Sequence, residues 1–442
     1  MSSTETDDAR ASDHDGGDAQ DPGGPDRTIS GGEWRKLALL GVPSLALALA
    51  TTVVTTYLPV HLQAGKASPT MIGLLIGTEG LMAMIVPLIA GTWSDRLRTP
   101  LGGRLPFLIA ALPPLVLALV LLGLVSGLGL AAALLFLFFA AYFTAYEPYR
   151  ALYPDLVDDD IAGRAQSSQA IARGLGTFFA LVGGGLLIAL ADPAPFIAAA
   201  VVSGGGLVAF VVVVARRGAD QQDTPPEGGV RAAAEHLVGM LRQRRELRLY
   251  LYANALWELA LGALKTFVVL YLTIGLGYAL STSSLIIGGV AVFLLAASPI
   301  SGKLGDRYGR MVVLQWSLVV YGLGLLVPLL ITQKAIVAVA VPFIALGGGV
   351  VMTLPYAVLI PLMEDEEHGA LTGFYSLSRG VGTALGPLLA GAAIGVSDGL
   401  FPATKGYQAT WGVCAAALLL SILPLRALRR AVGDEAERDG SS

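Results

Sequence analysis

Charge is scarce in this chain of 442 residues: Asp, Glu, Lys and Arg together make up 14% of it, against about 25% in soluble domains. That excludes an ordinary water-soluble globule. Cysteine is scarcer still. Cys414 stands alone inside an apolar run, so an internal disulfide and a thiolate metal cluster are both ruled out. Cys414 itself reads as a small buried apolar residue. Aromatics make up 7% and the net charge is −4. There is no basic patch with interleaved aromatics, which sets nucleic acid aside. No nucleophile–base set or phosphate loop is present either, so no enzyme chemistry, cofactor or metal is expected.

What the chain has is hydrophobic length. Apolar residues make up 54%. Residues 1–33 are acidic, polar and turn-rich, and predict a disordered tail rather than a signal peptide. After Trp34-Arg35-Lys36 come twelve segments near the roughly 20 residues that cross a bilayer as a helix. They are 37–63, 70–93, 105–126, 128–149, 167–191, 194–215, 248–273, 282–301, 311–332, 335–362, 371–396 and 407–426. Lipid supplies no hydrogen bonds, and the unbroken apolar runs do not alternate as a barrel strand would. The expected fold is an all-α membrane protein of twelve transmembrane helices.

Of the 29 lysines and arginines, only Lys66, Lys334 and Lys405 fall on one side of this layout, while Arg173, Lys265 and Arg379 fall within spans. The rest lie with both termini. By the positive-inside rule that side is cytoplasmic, which suits a multi-pass protein of the plasma membrane. Residues 216–247 read as a cytoplasmic linker carrying an amphipathic piece, Arg231 to Arg245, on the leaflet surface. It divides a bundle at 34–215 from one at 248–427, with a cytoplasmic tail at 428–442.

The two halves match. Gly91-Thr92-Trp93-Ser94-Asp95-Arg96, running on to Gly103-Arg104, recurs as Gly302-Lys303-Leu304-Gly305-Asp306-Arg307-Tyr308-Gly309-Arg310. Pro148-Tyr149 recurs as Pro355-Tyr356, and Arg173-Gly174-Leu175-Gly176-Thr177 as Arg379-Gly380-Val381-Gly382-Thr383. Three anchors in one order at nearly one offset, close to half the chain, indicate two pseudo-symmetric six-helix bundles, a pattern of secondary transporters.

The repeated G-x-x-x-D-R hairpin resembles the signature of the major facilitator superfamily. Trp93-Ser94-Asp95-Arg96 with Gly103-Arg104-Leu105-Pro106-Phe107, and Pro148 to Leu156, resemble the sucrose/proton and glycoside cation symporter branch and its animal relatives. The resemblance implies spans 1, 4, 7 and 10 around a cavity, and alternating access.

Charges within a bilayer cost about 2.5–3.5 kcal/mol each on insertion scales, so they point to function. Glu79 lies deep in span 2 and reads as a proton-titrating carboxyl or as half of a packing pair. Tyr250, Asn254, Glu258, Leu261 and Lys265 share one face of span 7, which predicts substrate hydroxyl binding and charge coupling, or a Glu258–Lys265 structural pair. Arg173 and Arg379 occupy matching places in spans 5 and 11, each gripping a substrate oxygen or an acidic partner across the bundle, or snorkelling to the cytoplasmic surface. Tyr142, Tyr146, Tyr149 and Tyr153 make an aromatic stripe in span 4, with Glu147 and Arg150 beside it. Tyr142, Tyr146 and Trp257 are the candidate cavity aromatics. His61 reads as interfacial.

The hairpin residues Gly91, Asp95, Arg96, Arg104, Gly302, Asp306, Arg307 and Arg310 have a conformational task. A carboxylate stabilises a helix N-terminus, so Asp95 is expected at Ala370–Thr372 and Asp306 at Gln166–Ser168. Arg96 and Arg307 would meet acids such as Asp155 and Glu364. Such contacts would hold the cytoplasmic side closed. The expected function is proton-coupled uptake of a small polar solute, a sugar above all, by a monomer in the lipid bilayer. The alternative is proton-driven export of a small organic or drug-like molecule.

Overall fold

The computed structural model describes residues 31–94, 96–125, 127–156, 162–217, 230–362 and 368–439. Residues 1–30 of the expected tail and residues 218–229 of the linker lie outside the described residues. Among the described residues, twelve helices are long and apolar enough to cross a membrane. The first six are α1 (Gly31–Ala64), α2 (Pro69–Ser94), α3 (Leu105–Leu122), α4 (Leu128–Asp155), α5 (Ala162–Ile188) and α6 (Ala194–Arg217). A short helix, α7 (Val230–Gln243), follows. The second six are α8 (Arg245–Leu270), α9 (Leu280–Tyr308), α10 (Arg310–Leu330), α11 (Lys334–Leu359), α12 (His368–Val396) and α13 (Ala409–Asp439).

The helices form because apolar runs leave no other partner for their backbone groups. Their outer faces stay bare. On α2, Leu74, Leu81 and Ile85 are all about half exposed, on one stripe that only lipid can cover. The inner faces make one apolar core that runs through both halves, from Leu47 and Tyr57 to Trp411 and Leu425. A smaller cluster, with Leu37, Leu105, Tyr149 and Phe210, closes the terminus-bearing end of the first half.

Two seams join the halves. In one, α2 runs along α12 with almost no side chain between them. A Cβ on Gly77 would stand 2.6 Å from Ala384 O, and one on Gly80 2.3 Å from Gly380 O. Only glycine permits that approach. In the other seam, α5 meets α9, with Gly288 against Val182 and Gly174 against Leu295.

The two ends of the bundle differ. At the end away from the termini, hydrogen bonds cross between halves. Tyr407 donates its hydroxyl to Gln63 Oε1 at 2.9 Å, Thr70 donates to Gly391 O at 3.3 Å, and Tyr57 and Ser284 share one at 2.9 Å. Among the described residues, none joins the halves at the terminus-bearing end. The described residues thus leave the terminus-bearing end unbridged and close the other.

The repeat is also visible in the hairpins. Arg104 donates from Nη1 to Ala151 O, and Arg310 donates from Nη1 to Ala357 O at 3.1 Å. Each link spans 47 residues. Ala151 and Ala357 lie in the last turns of α4 and α11, where carbonyls lack helical partners and the helix end attracts a cation.

Candidate functional site

Seven ionisable side chains from five helices converge between the halves: Glu79 on α2, Glu147 and Arg150 on α4, Arg173 on α5, Glu258 and Lys265 on α8, and Arg379 on α12. Glu258 and Lys265 share a face but stand two turns apart, about 10 Å along the axis. Each therefore pairs with a different helix.

Lys265 Nζ lies 3.3 Å from both carboxylate oxygens of Glu79. Glu79 is buried and Lys265 about four-tenths exposed. This ion pair bridges the halves. Glu258 Oε2 faces Arg379 Nε at 3.8 Å. Arg379 lies within electrostatic range of Tyr146 and Glu79 and of Glu147, all three in the other half. Glu147 Oε2 takes Arg150 Nη1 at 3.7 Å, one turn along α4.

Arg173 differs from these. It donates from Nη1 to the Tyr146 hydroxyl at 3.3 Å, and among the described residues it has no carboxylate partner. It stands eleven residues past the start of α5, as Arg379 does past the start of α12, about 16 Å along the helix in both cases. Its face of α5 carries Gln166, Gln169 and Thr177, while the exposed Ile171, Leu175 and Phe179 form another. Arg173 is turned toward the cleft through Tyr146, while Gln169 donates to the Tyr149 hydroxyl at 3.1 Å.

Aromatic rings line the α4 side. Tyr142 and Tyr146 stack at 5.5 Å with planes 12° apart, and Phe138 extends the ladder at 6.1 Å. The Arg150 guanidinium sits 5.6 Å from the Tyr146 ring centre, a cation–π distance. The tyrosine stripe then divides. Tyr149 turns into the core of the first half, where its hydroxyl donates to Leu40 O at 2.6 Å and meets Ser44 Oγ at 2.9 Å.

Three expectations are corrected. Trp257 is not a cleft aromatic: it is buried, and its indole donates to Ser421 Oγ on α13 at 2.8 Å. Asn254 is buried between α8 and α12 and donates to Ser378 Oγ at 2.7 Å, while its Oδ1 has no protein donor. Tyr250 donates to Pro355 O at 3.0 Å. The hydroxyl-binding stripe of α8 is thus turned largely into packing.

The hairpin contacts also differ. Asp306 and Arg307 are exposed. Asp306 makes no bond to Gln166–Ser168, and Arg307 lies over Tyr308 at 5.3 Å. These contacts need a closed terminus-bearing end, and that end is open. Asp95, Glu364 and the Asp155 side chain lie outside the described residues. Arg96 is exposed, and Gly91 and Gly302 face open space. His61 ties Nε2 to Val125 O at 2.8 Å.

Tyr356 is a cleft-side residue the sequence marks only as a repeat anchor. Its ring meets Tyr375 edge-on at 5.4 Å, and it lies within electrostatic range of Arg150 across the cleft. The Pro-Tyr repeat was the signal, but its first copy, Tyr149, points to a core.

Residues 44–295 and 259–441 match the family model described as Major Facilitator Superfamily. Over 105 residues the chain is 29% identical to Multidrug resistance protein 3 of Bacillus subtilis, covering 22% of this chain and 19% of that protein. Over 156 residues it is 26% identical to a triacylglyceride transporter of Mycolicibacterium hassiacum, covering 34% and 29%. The chain therefore spans less than a third of the length of these curated relatives.

Solved structures match over far more. A bacterial homologue of the human lysosomal transporter Spinster, in an inward-facing and occupied conformation, aligns with TM-score 0.74 at 13% identity, covering 91% of this chain and 98% of that one. The nucleoside transporter NupG aligns with TM-score 0.69 at 16% identity, covering 89% and 98%. At such identities the likeness shows the fold.

Proposed function

The chain belongs to the major facilitator superfamily, and from that premise we propose a secondary active transporter that couples the movement of a small polar solute to protons. A multi-pass membrane transporter, rather than an enzyme, is what the family and the fold give. The coupling is our reading, and the Glu79–Lys265 pair carries it. A carboxylate and an ammonium from opposite halves meet within the hydrocarbon depth. Protonating Glu79 cancels its charge and releases Lys265, so proton binding changes what holds the halves together at that level. Losing the proton restores the pair. Alternating access then follows as rocking of one half on the other.

With lysine and arginine concentrated at the terminus-bearing end, that end is cytoplasmic, and the conformation is inward-open. The solute meets the cleft below the sealed end, against the polar face of α5 and the charged groups of α8 and α12. Sugar uptake is supported by Gln166 and Arg173 on that face. Export of a drug-like molecule is the second reading, and the stacked Tyr142–Tyr146 pair favours it.

The deciding experiment is flux into proteoliposomes of labelled sugars and small organic molecules, with and without a pH gradient. Gradient-driven accumulation of at least one solute is expected, and Glu79→Gln should make the flux indifferent to the gradient. Wild-type flux that ignores the gradient for every solute removes proton coupling.

A further inference from the structure

Among the described residues, the charges in the cleft do not cancel. Three carboxylates, Glu79, Glu147 and Glu258, each have a cation: Lys265, Arg150 and Arg379. Arg173 is the fourth cation, and its contact is the neutral Tyr146 hydroxyl. Arginine stays protonated in proteins, so this excess cannot be relieved by titration.

In the open cleft water solvates Arg173, which is exposed. Rocking from inward-open to outward-open passes through a state closed at both ends. There the water is largely excluded, and a charge without a counter-ion is strongly disfavoured. The side chain reaches sideways to the Tyr146 hydroxyl on α4 rather than toward the helix end.

We infer that the transported solute carries an oxyanion, a carboxylate or a phosphate, and that Arg173 is the residue that takes it. With Glu79 ionised, one negative charge on the solute balances these groups. Arg173 presents a planar fork of donors matched to two oxygens of such a group, and the solute's charge becomes the condition for closing. A solute without that charge would bind but leave the guanidinium uncompensated, and so would cross poorly. A sugar acid would satisfy this requirement and the polar face of α5 together. The inference rests on the transporter reading and narrows its solute.

The test uses purified full-length protein and matched pairs: glucuronate with glucose, lactate with glycerol, glycerol 3-phosphate with glycerol, and benzoate with benzyl alcohol. Binding is read as the ligand-dependent rise in melting temperature in detergent, and flux in proteoliposomes. At least one acid is expected to outbind its neutral partner by about tenfold or more, the scale of one charge-assisted hydrogen bond. Arg173→Gln should erase that preference and Arg173→Lys should keep part of it. The carboxylate and phosphate arms separate the two oxyanion types.

A second readout does not depend on choosing the right solute. Without any ligand, Arg173→Gln should close the terminus-bearing end more often than wild type, read as slower thiol labelling of a cysteine placed in the cleft. Neutral solutes moving as well as acids, with Arg173→Gln changing neither preference nor labelling, overturns the inference and leaves the transporter reading intact. Flux of no solute at all overturns both.

Discussion

Glu79 and Lys265 come from opposite halves of the chain, so their pairing is a property of the conformation as much as of the fold. Lys265→Met leaves Glu79 buried without its cation. We expect a loss of about 1–3 kcal/mol, below the 3–5 for a fully buried pair because Lys265 keeps part of its hydration. Adding Glu79→Gln should recover much of it, with a coupling of about 1 kcal/mol or more, read from melting curves of the two single variants and the double. Additive losses would show that the pair does not interact. At this scale the sequence picked out the charges sunk within the spans by their cost in lipid, and not whom they meet. The stripe from Tyr250 to Lys265 is a true face of α8, yet Glu258 and Lys265 find their partners on α12 and α2. Trp257 was misread because α8 is wrapped by helices on several sides, so an aromatic there has no apolar-to-polar contrast to betray its direction.

Among the elements, α2 and α12 depend on absent side chains. Gly77→Leu would drive a side chain into the Ala384 carbonyl and should cost about 1–3 kcal/mol as overpacking. Gly91→Ala faces open space and should leave the melting temperature unchanged. Equal losses at both positions would mean that the seam is not tight. The hairpin arginines allow a paired check. Arg104→Ala and Arg310→Ala each release one terminal carbonyl contact, and we expect matched losses of about 1 kcal/mol, measured side by side. A large inequality would break the equivalence of the two fastenings. Elements were the most legible scale, because apolar length and Lys/Arg asymmetry are local signals. The hairpin carboxylates were less legible: Asp306 was expected to cap α5, a contact that belongs to a different conformation from the one seen here.

For the molecule as a whole, the sealed end has to open for solute to pass. Gln63→Cys with Tyr407→Cys, in a Cys414→Ala background, places two thiols where a hydrogen bond now joins the halves. Cross-linking them should stop flux, and reduction should restore it. Undiminished flux after complete cross-linking would show that this end never parts. How the halves turn follows from the glycines between α2 and α12. Interlocked side chains would have to disengage before two helices could roll over one another. Smooth backbone against smooth backbone has nothing to disengage. This close seam is therefore also a bearing, and the swing of the two halves runs about that line.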